Sequence, residues 1–307
     1  NVSSSSVSFI FLSSPNTSAR DVLGLDKKMN ETLEDETFRS FFGASISIIT
    51  ELWNLLIPTL IGKVGYKGAE PMHLLWALVH IKVYSTEAVH CRIVGWPDKK
   101  TYRKWTWHML RKISDLKEKV MRLDDRFEGW DGTTSCLMSI DGIDCMVNEP
   151  WPFDEKWYSQ KFNGPGVKYE VGVCINSGRI VWVNGPFVAS TSDVTMFKEA
   201  LVHLLTDDEG VEDDAGYKGH DKLKGPTVAT TSVGRKMKSQ VRGRHENVNS
   251  RLKIFNVLNI PFRHTNPRDK MMEKHGYCFN AIAVITELKF QNGDSLIYDV
   301  NYDVTYD

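Results

Sequence analysis

The sequence lacks the features of several protein classes. Its five cysteines are widely spread and include no CxxC pair, which is typical of neither a disulfide framework nor a zinc site. No apolar run approaches the roughly 20 residues that cross a bilayer, which excludes a multi-span membrane protein. No internal repeat is present, and the formal net charge is only −1. Because 41% of its 307 residues are hydrophobic and 25% are charged, we expect a globular protein with a sizeable core. The cysteine pattern suits a reducing compartment, so we expect it to be intracellular.

The composition along the chain predicts three regions. The serine-rich start predicts a disordered tail over residues 1–35. Residues 36–130 are predicted to be helical, with a helical hairpin or broken helix at 36–62 that ends near Pro58 and Gly62. Residues 131–300 change to short strands, including a hairpin turn at Asn176-Ser177-Gly178, and a helix follows them. This last region is therefore predicted to be a mixed α+β domain.

Three helices in the second region are compatible with a helix-turn-helix. Pro71 suits a first helical position, a short helix is predicted from Thr86 to Ile93, and Asp98 is a good N-cap for the third helix. The third helix opens with cations that would meet DNA phosphates. These cations are Lys99, Lys100, Arg103 and Lys104. The alternative is an ordinary helical bundle with a solvated basic face.

The charges are strongly separated despite the near-neutral total. An acidic stretch at 206–214 precedes a basic segment from Lys218 to Lys253, in which ten Lys and Arg residues and two acids give a charge of +8. A segment this basic is typical of proteins that bind a polyanion. The alternative is a solvated loop, although charge of one sign repels itself without a partner.

Three acids stand out by location. Asp141 follows a predicted strand over Cys136–Ile140 and precedes Gly142, Asp214 ends the acidic stretch, and Glu246 begins a predicted helix. Carboxylates at the ends of separate elements can converge on one point and bind divalent cations. Two such ions about 4 Å apart support phosphodiester cleavage. The alternative for each acid alone is a helix cap or a solvated surface residue.

Two further acids have simpler interpretations. Asp193 follows Thr191-Ser192 and precedes a helix predicted from Val194 to Leu205, so we interpret it as an N-cap. Glu149 lies near the first strand but precedes Pro150, which favours a turn.

Short motifs follow one another in order along residues 45–300. They are Leu74-Leu75-Trp76-Ala77-Leu78, Thr101-Tyr102-Arg103-Lys104-Trp105, Asp141-Gly142-Ile143, Glu149-Pro150, Tyr158-Ser159-Gln160-Lys161, Ser190-Thr191-Ser192-Asp193, Asp214-Ala215-Gly216-Tyr217, and Arg244-His245-Glu246 with Asn249 and Lys253. This series resembles the DDE transposases of the PIF/Harbinger group, which are similar to bacterial insertion-sequence transposases. The chain departs from the family where Ala189 and Ser192 replace its Gly and His, and where Ala215 replaces its Ser.

The resemblance implies an RNase H-like catalytic domain with a mixed five-stranded sheet, preceded by the helix-turn-helix-like domain. Two Mg²⁺ or Mn²⁺ ions would be held by Asp141 on the first strand, Asp214 after the fourth strand and Glu246 on a late helix. Asp213 is an adjacent rival, and the family's Gly-Tyr spacing selects Asp214. Lys253 lies two helical turns after Glu246 and could hold a DNA phosphate.

The resemblance also implies a reaction and partners. The enzyme would cut DNA at transposon ends and join the 3′-hydroxyl to target DNA. Lys161, Arg242 and Arg244 complete the predicted DNA contacts. We expect a homodimer or larger assembly, a possible separate DNA-binding partner protein, no membrane association and a nuclear location. The alternatives are a nuclease without strand transfer and a domesticated DNA-binding protein without catalysis.

Overall fold

A computed structural model of the chain describes residues 31–60, 68–95, 97–132, 134–152, 154–213, 217, 219–225, 232–263 and 268–294. The chain divides into two compact units, Asn1–Ile113 and Ser114–Asp307. The boundary lies earlier than the predicted residue 130, because residues 114–130 pack onto the sheet of the second unit. Lys117, for example, donates a hydrogen bond to the carbonyl of Val183 at 2.7 Å.

Helices make up the first unit. They are α1 (Glu31–Phe42), α2 (Ile46–Leu60), α3 (Pro71–Val83), α4 (Glu87–Ile93) and α5 (Lys99–Ser114), whose last residue belongs to the second unit. The broken helix predicted at 36–62 is confirmed as α1 and α2, separated at Gly43 with a φ of +80°. The predicted end near Pro58 and Gly62 agrees with the end of α2 at Leu60. The predicted extent of the tail was wrong, because α1 begins at Glu31, within it. The rest of that tail lies outside the described residues.

The predicted positions of Pro71 and Asp98 at helix starts are confirmed, and the structure adds Thr86 as an N-cap. Pro71 occupies the start of α3, and the Thr86 side chain accepts a hydrogen bond from the Val89 amide at the start of α4. Asp98 Oδ1 accepts from the amides of Lys100 and Thr101, both at 3.0 Å. The Thr86 and Asp98 side chains thus accept hydrogen bonds from amides that have no partner within their own helix. Whether α3 to α5 act as a helix-turn-helix stays a prediction.

No single helix in the described ranges has both the length and the apolar character to span a membrane. The segments Glu36–Phe42 and Ile46–Leu60 satisfy those two criteria only when taken together, across a bend of 45°.

A five-stranded sheet organises the second unit. Its strands are β1 (Cys136–Met146), β2 (Tyr158–Ser159), β3 (Gly164–Cys174), β4 (Ile180–Val188) and β5 (Gly210–Glu212). The order is β2-β3-β1-β5, with β4 also beside β3; β5 is parallel to β1, and the other pairs are antiparallel. The predicted mixed five-stranded sheet is thus confirmed. The strand before Asp214 is the fifth rather than the fourth, because the two-residue β2 adds one to the count.

Strand β1 is longer than its apolar run predicts. Asp141-Gly142 was interpreted as the end of the strand, yet Asp141 pairs with Val171 and Gly142 with Glu170 in the middle of the β1–β3 ladder. Main-chain pairing continues through the polar positions because β3 offers an equally long partner. The first acid therefore lies on a rigid central strand and not on a loop.

Helices cover both faces of this sheet. Those described are α6 (Lys117–Val120), α7 (Asp193–Glu199), α8 (Ser232–Lys253), α9 (Asn256–Asn259) and α10 (Arg268–Gln291). On one face α10 stacks Phe279 on Tyr169 of β3, with ring centroids 3.7 Å apart, and α8 lies on the same face. On the other face Phe197 of α7 packs against Met138 and Ile140 of β1. The helix predicted over Val194–Leu205 breaks at Ala200 and continues as a 3₁₀ turn.

Candidate active site

Strand β1 and helix α8 bring two of the predicted acids to one pocket. The pocket has a volume of about 390 Å³ and is lined by Asp141 of β1 and Glu246 of α8. The same pocket is also lined by the acid Asp213 and by the cations Lys161, Arg235 and Arg242. The pocket therefore combines hard oxygen ligands with groups that bind phosphate.

Both carboxylate oxygens of Asp141 are oriented by hydrogen bonds. Oδ1 accepts from the Gly142 amide at 2.7 Å, and Oδ2 accepts from Asn249 Nδ2 of α8 at 2.8 Å. One bond to each oxygen fixes the rotation of the carboxylate, and each oxygen keeps a further lone pair. Asp141 is therefore pre-oriented for a ligand in the pocket.

Glu246 lies deep within α8 and not at its start. The helix begins at Ser232, because the basic stretch that precedes Glu246 is itself helical. The Glu246 side chain is 65% exposed, and its Oε1 lies 3.2 Å from Arg242 Nε one turn earlier. An exposed i,i+4 pair of this kind is weak. The Glu246 carboxylate can therefore exchange this partner for a ligand.

Of the two candidates for the second acid, the structure describes only Asp213. Asp214 lies outside the described residues, whereas its rival Asp213 lines the pocket with both carboxylate oxygens buried. Within the described parts of the chain, no three His, Cys, Asp or Glu side chains cluster closely enough to hold a metal ion. The described carboxylates fit a divalent cation by their chemistry, and the choice of Asp214 stays a prediction.

Two buried residue pairs hold α8 beside the acids. Lys238 Nζ contacts both carboxylate oxygens of Glu212 at 2.6 Å, at the end of β5. His245 Nδ1 lies 3.0 Å from the hydroxyl of Ser139 on β1. Burial lowers the pKa of His245, against the opposing effect of the Asp141 and Glu246 charges, so the ring is favoured in its neutral form.

The opposite face of the sheet holds a second polar cluster. Glu170 of β3 is fully buried and accepts a hydrogen bond from Trp182 Nε1 at 2.9 Å. Burial is the main cause that raises its pKa to about 7, and the charge of Asp193 adds to the rise. Lys168 Nζ lies 3.3 Å from Asp193 Oδ1.

The interpretation of Asp193 as an N-cap was wrong. Ser192 is the N-cap of α7, and its hydroxyl accepts from the Thr195 amide at 3.2 Å. The Asp193 carboxylate instead lies against Gly142, where a Cβ atom would come within 2.5 Å of Oδ1. Glycine at position 142 therefore leaves room for an acid behind the strand that carries Asp141.

The predicted DNA contacts of the second unit occupy different environments. Lys161 is 55% exposed in its side chain and donates to the Gly142 carbonyl at 2.8 Å. Arg242 is exposed at the pocket, and Lys253 lines a second pocket with Glu246, as its seven-residue spacing predicted. Arg244 is buried and donates to the carbonyls of Ile175 and Asn176. Its guanidinium holds the β3–β4 hairpin to α8 and points away from solvent.

The predicted contacts of the first unit lie at the start of α5. Lys99, Lys100, Arg103 and Lys104 are all exposed. Arg103 is engaged by Glu87 of α4 in two hydrogen bonds of 2.7 and 2.6 Å. Lys104 Nζ lies 5.6 Å from the ring centroid of Trp105.

The sequence interpretation named Asn249 only as part of a motif and did not predict its contact with Asp141 or the contact of Lys238 with Glu212. Asn249 follows Glu246 by three residues, and that spacing alone predicts a shared helix face. Lys238 was one cation among many in a basic segment. Only its burial beside Glu212 distinguishes it, and no local signal in the sequence predicts that burial.

Comparison with known proteins identifies the second unit. Residues 140–287 match the family described as DDE superfamily endonuclease. No curated protein and no solved structure matches the chain. The matched segment runs from Ile140 of β1 to Glu287 of α10 and contains all three predicted acids, while the PIF/Harbinger group stays a prediction. The second unit therefore has the mixed sheet of an RNase H-like DDE domain, and its residues 140–287 are similar to the DDE superfamily endonucleases.

Proposed function

We propose that the protein is a metal-dependent DNA transposase. It cuts phosphodiester bonds at the ends of a mobile element and joins the freed 3′-hydroxyl to target DNA. The observation that carries the proposal is the convergence of Asp141 and Glu246, from separate elements, on one pocket that also contains cations. In the matched endonuclease segment, this arrangement suits a phosphate diester better than a small neutral substrate.

Asp141, Asp214 and Glu246 would hold two Mg²⁺ or Mn²⁺ ions. When bound, such ions activate the attacking oxygen and stabilise the charge on the leaving oxygen. The chain itself orients the substrate, since Lys161 and Arg242 at the pocket can bind phosphate oxygens. The buried His245 supports the helix that carries Glu246, through Ser139.

We assign the second position to Asp214 and not to Asp213. The family resemblance supports this assignment, because its Gly-Tyr spacing, which is Gly216-Tyr217 in this sequence, selects residue 214.

The proposed DNA surface follows the exposed cations. In the second unit it comprises Lys161, Arg235, Arg242 and Lys253, without Arg244. In the first unit, the cations at the start of α5 would bind DNA separately. We further propose that two or more copies hold the two element ends together, that a separate DNA-binding partner can assist, and that the protein acts in the nucleus. The nuclear location follows from the substrate.

The test is a Mg²⁺- or Mn²⁺-dependent cleavage and strand-transfer assay on DNA with candidate element ends. Asp141→Asn, Asp214→Asn and Glu246→Gln are each expected to lower the rate by at least about 10³-fold, because each removes a ligand charge at the reacting phosphate. Glu149→Gln, an exposed acid after β1, is the matched control and is expected to keep full activity. Circular dichroism checks that every variant is folded.

Each outcome separates the alternatives. Loss of activity in Asp213→Asn but not in Asp214→Asn would reverse the assignment of the second acid. Nicked DNA without joined product would indicate a nuclease. DNA binding without any cutting, in the wild type and the variants alike, would indicate a domesticated binding protein.

A further inference from the structure

Helix α8 connects the first and third acids through one side chain. Asn249 lies three residues after Glu246 and donates from Nδ2 to Asp141 Oδ2 at 2.8 Å. Glu246, Asn249 and Lys253 line a common pocket, so Asn249 shares the face of the helix that presents the third acid. A single amide thus links the strand of Asp141 to the helix of Glu246.

The orientation of this amide follows from its partner. An ionised carboxylate only accepts hydrogen bonds, so the NH₂ group of Asn249 must face Asp141. The other end of the amide, Oδ1, is buried without a hydrogen-bond partner in the described parts of the chain. A buried acceptor without a partner carries a free-energy cost. The site keeps the bond to Asp141 despite that cost.

The Asn249 bond complements the one from the main chain. The Gly142 amide holds Oδ1 of Asp141 at 2.7 Å, and Asn249 holds Oδ2. Without Asn249 the carboxylate would be fixed at one oxygen only and could rotate about its Cβ–Cγ bond. Groups that orient a metal-ligating carboxylate in this way set its affinity for the ion.

We propose that Asn249 is a positioning residue for the divalent-cation site. It orients the Asp141 carboxylate towards the pocket and holds it at a fixed position relative to Glu246 on α8. This inference rests on the proposed function, because it takes Asp141 and Glu246 as metal ligands.

The first experiment measures Mn²⁺ affinity by titration calorimetry on the full chain, without DNA. Asn249→Ala is expected to weaken Mn²⁺ binding about 10- to 100-fold relative to the wild type. The matched control is Asn247→Ala, the same truncation two positions earlier on α8 and therefore on a different side of the helix. It is expected to leave the affinity within about twofold.

A second experiment distinguishes positioning from packing. Asn249→Asp keeps the shape of the side chain but replaces the donor with an acceptor. The metal-free melting temperature should fall, because two carboxylates then face each other, and Mn²⁺ should raise it by more than in the wild type. The double variant Asp141→Asn with Asn249→Asp exchanges the amide and the carboxylate between the two positions. An amide then again donates to a carboxylate, so the metal-free melting temperature should return to the wild-type value.

The outcomes separate this inference from the proposed function. A wild type that binds no Mn²⁺ overturns the metal site, and the inference falls with it. Wild-type binding that Asn249→Ala leaves unchanged overturns the positioning role and leaves the metal site standing. Failure of the exchanged pair to recover its melting temperature would also overturn it, because the Asn249–Asp141 bond would then not be the contact that matters.

Discussion

At the scale of single residues, the sheet places two acids on opposite faces, one at the pocket and one in the protein interior. Asp141 faces α8 and the pocket, whereas Glu170 on the neighbouring strand is buried on the other face. Paired residues on neighbouring strands share a face of the sheet, and successive residues along a strand alternate between faces. Asp141 pairs with Val171, and Glu170 pairs with Gly142, so the two acids lie on opposite faces. The acid that lines the pocket can bind a cation, and the buried acid favours its neutral form.

Glu170 should make stability depend on pH. Its pKa of about 7 in the folded protein exceeds the ordinary value of 4.5, so the folded state binds more protons between these values. The contribution is complete below pH 4.5 and is lost as the pH rises through 7. Between these limits the free energy of unfolding should fall by about 3 kcal/mol relative to Glu170→Gln.

Urea unfolding of both proteins at pH 4.5, 6 and 7.5 measures this effect. Glu170→Gln keeps the shape of the side chain and removes the titration. A stability difference between the two proteins that stays constant across the range would contradict the raised pKa of Glu170.

At the scale of elements, helix α8 makes most of the contacts around the candidate acids. It presents Glu246, contacts Asp141 through Asn249, and is fastened near its start by the buried Lys238–Glu212 pair. Glu212 ends the strand that leads to Asp214. Helix α8 therefore contacts both β1, which carries Asp141, and the end of β5.

Breaking the Lys238–Glu212 pair should destabilise the second unit. Both side chains are at most 5% exposed, so Lys238→Met removes a cation in direct contact with a buried carboxylate and should cost about 3–5 kcal/mol in the free energy of unfolding. Lys238→Met combined with Glu212→Leu should recover most of that loss. The measurement is denaturant unfolding of the single and double variants.

An exposed neighbour provides the control for this prediction. Lys236→Met on the same helix should change the free energy of unfolding by no more than about 0.5 kcal/mol. Equal losses in Lys236→Met and Lys238→Met would show that the buried pair has no special role.

At the scale of the whole molecule, a net charge of −1 conceals a localised basic surface. The ten cations between Lys218 and Lys253 do not act alike. Lys238 and Arg244 are buried and hold the fold together, whereas Arg235, Arg242 and Lys253 are exposed. The exposed cations, and not the total charge, should determine how the protein meets DNA.

DNA binding should therefore weaken steeply with salt, because phosphate contacts release counterions. Arg242→Ala and Lys253→Ala should each reduce the slope of log K against log salt concentration by about 1. Lys198→Ala, an exposed cation of α7 on the other face of the sheet, should leave the slope unchanged. Fluorescence anisotropy across a salt series measures these slopes, and a flat dependence would contradict the proposed surface.

Local signals predicted the elements better than their ends. Caps such as Asp98 and the hairpin turn before Gly178 were correct, because both depend on a few neighbouring residues. The extent of β1 and the start of α8 were wrong, because each depends on a partner that is distant in the sequence. Asp141-Gly142 has the composition of a turn, and only the pairing with β3 makes it a strand.

The class of protein, the order of its motifs and the candidate acids could be predicted from the amino-acid sequence alone. Residue types at given spacings carry that information, as Asp141 and Glu246 illustrate. Which side chains contact each other could be seen only in the folded structure. It selected Asn249 as the partner of Asp141, Lys238 as the partner of Glu212, and Arg244 as a buried anchor. The physical reason is that burial and hydrogen bonding depend on which faces of strand and helix pack together.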